Sequence, residues 1–327
     1  MKKRIDNKKM KKTLYITSIL IFLIIGFVVS MVFFSKSDDS TSINIGYRKH
    51  VAYMPLFVAQ DKGFFEEQGL EINTIVFDST NQMIAAVVSG NIDASITGAN
   101  LQTVFSVEEK SPNLMMIFQT LDMNEETGIS CVMVKSDSEI TSLQELKGKK
   151  SAAPPGTFSP IWINAALNTV GLSKEDISIQ GLSPGLQLSA LESDQVDVLF
   201  TLEPACSFGV NSGVGKIIYQ EPIRHLGSSL TGSVISLDFM VKNPESANKL
   251  VYATDKAIDF IRENPEEAML IMAKHTGYSV ESIEGMIMPV YSKSNELNVK
   301  SIQDLADRLY VENDLQKQIN VSSMIYG

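Results

Sequence analysis

The chain has 327 residues, 44% hydrophobic and 20% charged, with 20 Gly and 11 Pro; this excludes a disordered or fibrous protein and predicts a globular chain of about two domains. Its formal net charge is −10, and because residues 1–12 hold a net +6, the remainder carries −16. So acidic a body argues against nucleic acid as a partner and against docking flat on an anionic membrane, while an anionic ligand held by local N–H groups stays open.

The basic tail of residues 1–12 is followed by residues 13–34, which carry no charge and are rich in Ile, Leu, Val and Phe. At about 1.5 Å per residue a helix of that length crosses a bilayer core, and the basic flank predicts a cytoplasmic tail with everything later outside. The run is longer than the apolar part of a secretory leader, and it ends without an Ala-x-Ala site or a cysteine for lipidation. A retained anchor is therefore expected over a cleaved signal, with the working part extracytoplasmic. Residues 35–42 read as a polar linker.

From Ile43 the pattern is strand, loop, helix. Ile43-Asn44-Ile45-Gly46-Tyr47 reads as a strand, Arg48-Lys49-His50-Val51-Ala52 as a loop, and Pro55 to Lys62 as a helix, since proline loses nothing in a first helical turn. Residues 70–77 alternate as a strand, and Asp78-Ser79-Thr80-Asn81 supplies cap residues for the next helix. A strand over residues 94–97 ends at Gly98-Ala99-Asn100, where another helix starts, and residues 115–119 form the next strand. Strands and helices alternating in this way imply a mainly parallel sheet with ligands at the carboxyl ends of its strands.

The pattern then repeats. Tyr53-Met54-Pro55-Leu56-Phe57-Val58 returns as Phe158-Ser159-Pro160-Ile161-Trp162-Ile163, 105 residues on. The helix, polar turn and Asp-led strand ending in Ile92-Asp93-Ala94 return as Val196-Asp197-Val198, 104 residues on. A period this long predicts two duplicated α/β lobes and not a solenoid. Residues 130–134 read as the strand crossing into the second lobe. Beyond it come a short helix over residues 140–146, a strand over 177–179, a turn at Leu182-Ser183-Pro184-Gly185, and strands over 197–202 and 217–219. Residues 233–241 alternate and carry the chain back, and helices follow over 245–262, 265–275 and 302–315. The expected division is lobe 1 at 43–132 and 235–327 with lobe 2 at 133–234, the two crossings leaving a cleft that hinge rotation closes.

The loop Gly156-Thr157-Phe158-Ser159 is expected to hold an oxyanion through hydroxyls and helix N-terminal amides, with a plain helix cap as the alternative. Across the cleft, Tyr53 either stacks on ligand or packs as core, and Thr97, Gly98 and Asn100 offer a second helix N-terminus. Ser79 and His50 belong to neighbouring loops, His50 reading more often as a solvated loop residue. Glu203 is placed either on a ligand amine or in a salt bridge across the hinge. Cys131 and Cys206 are the only thiols; a disulfide outside the cell is open, but their apolar contexts favour buried free thiols. The three histidines fall at no metal-ligand spacing.

The chain resembles substrate-binding proteins of ATP-driven importers, in the family serving sulfonates, nitrate and thiamine-pyrimidine precursors. The resemblance is carried by Ile45-Gly46-Tyr47, Pro55-Leu56, Ala59-Gln60-Asp61-Lys62-Gly63-Phe64-Phe65, Gly69-Leu70-Glu71, Gly90-Asn91-Ile92-Asp93-Ala94, the segment 143–150, Gly171-Leu172-Ser173, and Gln195-Val196-Asp197 with Glu203-Pro204. It covers everything from Ile43 on. It implies an α/β type II periplasmic-binding-protein fold, a monomer without cofactor that hands a small ligand to an ABC permease and its ATPase subunit. None of these motifs selects the ligand. Two other classes stay open: a membrane-tethered ligand sensor, and a pyrimidine-synthesis enzyme, although the cysteine-rich metal motif of such relatives is absent.

Overall fold

The computed structural model describes residues 42–122, 129–156, 158–220, 222–223 and 229–327. The expected anchor at 13–34, the tail before it and Thr157 lie outside the described residues. Among the described residues no helix is long and apolar enough to cross a membrane.

The first α/β unit runs from β1 (Ser42–Tyr47) to α1 (Met54–Asp61), which has proline in its first turn, and α2 (Phe64–Glu67). β2 (Glu71–Val76), α3 (Thr80–Val88), β3 (Ala94–Asn100), α4 (Leu101–Lys110) and β4 (Met115–Asp122) follow. The second unit holds β5 (Ser130–Lys135), β6 (Lys150–Ala153), α5 (Phe158–Asn168), β7 (Ser178–Gly181) and α6 (Pro184–Glu192). It closes with β8 (Val198–Leu202), α7 (Ala205–Asn211) and β9 (Gly215–Gln220). The chain returns through β10 (Ser229–Ser236) to α8 (Leu237–Lys242), α9 (Pro244–Glu263), α10 (Pro265–Thr276), β11 (Val290–Ser292) and α11 (Val299–Val311).

Two separate sheets result, ordered β11-β4-β10-β3-β1-β2 and β7-β6-β8-β5-β9. Apart from β11 they share one plan. The strands β2-β1-β3 and their counterparts β7-β6-β8 are parallel, and each set is joined by one antiparallel strand donated from the far side of a crossover, β10 or β5. The expected boundaries at 132/133 and 234/235 fall inside β5 and β10. Those two strands belong whole to the second and first sheets respectively, since β5 pairs with β8 and β9 along its length and β10 with β3 and β4.

The duplication reaches individual hydrogen bonds. The Asp93 carboxylate accepts from Asn44 N at 2.8 Å while Asp93 N donates to Asn44 O at 2.8 Å. Asp197 does the same with Lys150, both bonds at 2.8 Å. One turn earlier the carbonyls of Ala86 and Ala190 each accept two amides that close the helix, those of Asn91 and Ile92 in the first copy and of Gln195 and Val196 in the second. The repeated Asp ties the start of a third strand to the first, which is why its spacing is kept.

Three local expectations are corrected. Residues 182–185 are no free turn: Pro184 opens α6, its fixed φ suiting a first helical turn. The alternation after Ser233 ends at Ser236, whose hydroxyl accepts from Phe239 N and caps α8, so residues 237–241 are helical. Cys131 and Cys206 are not free thiols but form a disulfide, Cα–Cα 6.1 Å apart, because β5 and the first turn of α7 pack face to face. The bridge sits inside an apolar cluster with Met133, Leu188 and Leu199, under the second sheet.

Candidate functional site

A cavity of about 640 Å³ opens between the two lobes. From the first lobe it is walled by Arg48, Lys49 and His50 after β1, and by Val76, Phe77 and Asp78 at the end of β2. From the second come Ser183, Gly185, Leu188 and Ser189 at the start of α6, with Phe208 from α7. Residues 276–279, the last residue of α10 and the three that follow it, complete it. Gly277 ends that helix at φ +87°, its N–H closing on Ala273 O at 2.9 Å, and so turns Tyr278 toward the cleft. Tyr278 meets Phe208 edge to face, centroids 5.4 Å apart, joining the two lobes at this wall.

The segment that carries Tyr278 reaches further across. Asn211 Nδ2 of α7 donates to Glu284 O at 2.9 Å. Glu203, 3% exposed, accepts from Ser207 N at 3.0 Å and Ser207 Oγ at 2.9 Å, and also from the backbone amide of Ile287. Its carboxylate therefore pins residues 284–287 of the first lobe's chain against α7 of the second. Burial raises its pKa, partly offset by those donors. Burial and the Glu203 charge together raise that of Tyr278. Neither a ligand amine nor a lysine or arginine is needed to explain where Glu203 sits.

His50 is buried, 6% exposed, and not the solvated loop residue that its sequence context suggests. Its Nδ1 caps the 3-10 turn Val51–Tyr53 by accepting from Ala52 N at 3.1 Å. Burial, helped by the Arg48 charge, lowers its pKa to about 3, so the ring is neutral. Its Nε2 has no partner among the described residues.

Of the other residues singled out in sequence, Tyr53, Ser79, Thr97, Gly98, Asn100, Gly156 and Ser159 are not among those that line this cavity. Tyr53 lies flat against Gly98, donating from its hydroxyl to Gly98 O at 3.0 Å, and burial raises its pKa to about 12. A Cβ on Gly98 would stand 2.0 Å from the ring, so the glycine is what admits the tyrosine. Thr97 sits at φ +53°, uncommon for a β-branched residue. It is held by Thr97 N donating to Ser233 Oγ at 2.7 Å and its own hydroxyl donating to Ala52 O. Asn100 Oδ1 caps α4 through Thr103 N at 3.2 Å, leaving Nδ2 buried and without a partner among the described residues. Ser79 Oγ caps α3 through Gln82 N at 3.3 Å. Ser159 donates to Pro154 O at 2.7 Å. Gly156, at φ +126°, faces Asn81 of the other lobe, its would-be Cβ 3.7 Å from Asn81 Oδ1. Phe158 is the first residue of α5.

Sequence reasoning missed Phe77, Asp78, Phe208, Leu188 and Tyr278. The adjacent cations Arg48 and Lys49, directly after a strand, were the available signal. Among the described residues no group of three or more His, Cys, Asp and Glu gathers to hold a metal ion.

Comparison with known proteins gives the same architecture. A binding protein of Brucella abortus is 22% identical over 274 residues, 81% of either chain. The Saccharomyces cerevisiae 4-amino-5-hydroxymethyl-2-methylpyrimidine phosphate synthase THI13 is 23% identical over 248 residues, 71% of this chain and 70% of its own. The alkanesulfonate-binding protein SsuA of Xanthomonas axonopodis pv. citri, solved bound to MOPS, superposes with a TM-score of 0.72 at 19% identity, over 87% of this chain and 98% of its own. That likeness shows the two-lobed periplasmic-binding-protein fold. The profile of the family described as NMT1/THI5 like matches residues 50–268, and the chain belongs to that family.

Proposed function

We propose that this chain is the extracytoplasmic substrate-binding component of an ABC importer, held at the membrane by residues 13–34. It binds a small organic anion reversibly between its lobes and delivers it to a permease with its ATPase subunit. The observation that carries the reading is the interlobe cavity of about 640 Å³, where Arg48 and Lys49 stand beside the aromatic walls of Phe77, Phe208 and Tyr278. Cations at one wall and rings at another suit a ligand with an anionic head and an apolar body. Sulfonates fit that description best; a bare nitrate leaves the rings unused, and a flat thiamine-pyrimidine-type heteroaromatic leaves the cations unused.

The test is calorimetric titration of the purified full chain with alkane- and arylsulfonates, nitrate and hydroxymethylpyrimidine. Saturable binding of sulfonates with the ligand recovered unchanged is the expected result. Formation of the pyrimidine phosphate by the purified chain would replace the reading with the synthase activity for which the yeast relatives are named. Uptake of the bound ligand by intact cells, lost on deletion of this chain, tests the permease partnership and separates a transporter from a tethered sensor. Protease accessibility on intact cells tests the extracytoplasmic placement.

A further inference from the structure

The Nε2 nitrogen of His50 is a buried polar atom that none of the described residues matches, in a residue that lines the cavity. An imidazole nitrogen that accepts a hydrogen bond carries no proton, and Nδ1 accepts from Ala52 N. Because the ring is neutral, its single proton is therefore on Nε2. That N–H is buried without a partner among the described residues, in a residue that lines the cavity, whereas more than about nine in ten buried polar groups in folded proteins are matched. The charged groups on the same wall are Arg48 and Lys49 on its own loop and Asp78 at the end of β2; the facing start of α6 contributes Ser183 and Ser189 and no charge.

We infer that His50 is a specificity-determining residue of the cleft: its Nε2–H is held ready as a donor to an oxygen of the bound anion, beside the guanidinium of Arg48. The inference rests on the reading that the cavity binds a small organic anion. Arg48 supplies charge, which any anion satisfies. His50 supplies direction and kind, since Ala52 fixes the tautomer and Nε2 can only donate. A ligand with a lone pair at that point completes the wall. An isostere presenting N–H there sets donor against donor and leaves both unmatched. Loss of Arg48 thus weakens all anions together, and loss of His50 narrows the choice between acceptor and donor ligands.

The experiment titrates the full chain and two variants with benzenesulfonate, MOPS and nitrate, and with benzenesulfonamide as the neutral isostere bearing N–H. His50→Asn keeps a side-chain acceptor for the turn and withdraws the distal donor; His50→Gln places an amide N–H near the position of Nε2. His50→Asn is expected to bind benzenesulfonate roughly 10-fold more weakly, the worth of one directed hydrogen bond. The sulfonamide should change little, and His50→Gln should recover most of the loss. Independently of folding in either variant, the Nε2–H resonance of wild-type His50 should move downfield on saturation with benzenesulfonate. If the wild type binds benzenesulfonate but His50→Asn binds it equally well, or the Nε2–H resonance does not move, the role of His50 is overturned while the anion site stands. If the wild type binds no anion of the set, both fall.

Discussion

Breaking the link between Cys131 and Cys206 should weaken the second lobe by an amount set mainly by the unfolded chain. The two residues are 75 apart in sequence, and closing a loop of that length in the denatured state corresponds to about 4 kcal/mol on the chain-entropy account. The bridge is wholly buried among Met133, Leu188 and Leu199, so a Cys131→Ala/Cys206→Ala pair, which puts no hydroxyl into that apolar cluster, comes nearest to removing the tether alone. The single tryptophan, Trp162 of α5, packs edge to face on Phe200 of β8, 5.7 Å between centroids, and reports that lobe's unfolding by fluorescence. At a urea dependence of about 3 kcal/mol per molar, the loss lowers the midpoint by more than about 1 M. Because α7 also carries Phe208 and Ser207, sulfonate affinity should fall with it. A midpoint within roughly 0.3 M of the oxidised wild type would refute the loop-closure reasoning.

Gly98→Ala should destabilise the first lobe by about 2–4 kcal/mol, since the new methyl overpacks Tyr53 and breaks its bond to the Gly98 carbonyl. In a Tyr53→Leu background the same change should be far milder, and additive losses in urea denaturation would refute the contact. Glu203→Gln should alter pH dependence in a stated direction. A folded pKa above the usual carboxylate value of 4.5 gives stability that is fully present below pH 4.5 and lost as pH rises through the raised folded value. Unfolding free energies at pH 4 and pH 7.5 should therefore shift in favour of the wild type on acidification; the reverse sign would contradict a buried, disfavoured charge at Glu203.

The duplicated lobes were legible because their signals are local. An aromatic-x-Pro at a helix start and an Asp two residues past a polar turn each act within one strand–helix unit, and the paired bonds of Asp93 and Asp197 show why the spacing survives. The partners of the site were not legible for the opposite reason. Tyr278 follows a glycine in a stretch without period, and its neighbour Phe208 comes from the other lobe 70 residues earlier. Whether Cys131 meets Cys206 depends on how a helix lies on a sheet, which no pattern within either segment encodes. The burial of His50 likewise comes from what closes over its loop, not from the loop itself.

Residues 277–289 leave the first lobe and seat on the second through Asn211, Glu203 and the Phe208–Tyr278 pair. A body joined only by two chain crossings swings freely; one with this third clasp has a detent. Parting the lobes on this side means releasing two hydrogen bonds and one ring contact, each worth on the order of 1 kcal/mol. That sum is large enough to favour one posture of the lobes and of a size that the binding energy of a modest ligand can offset.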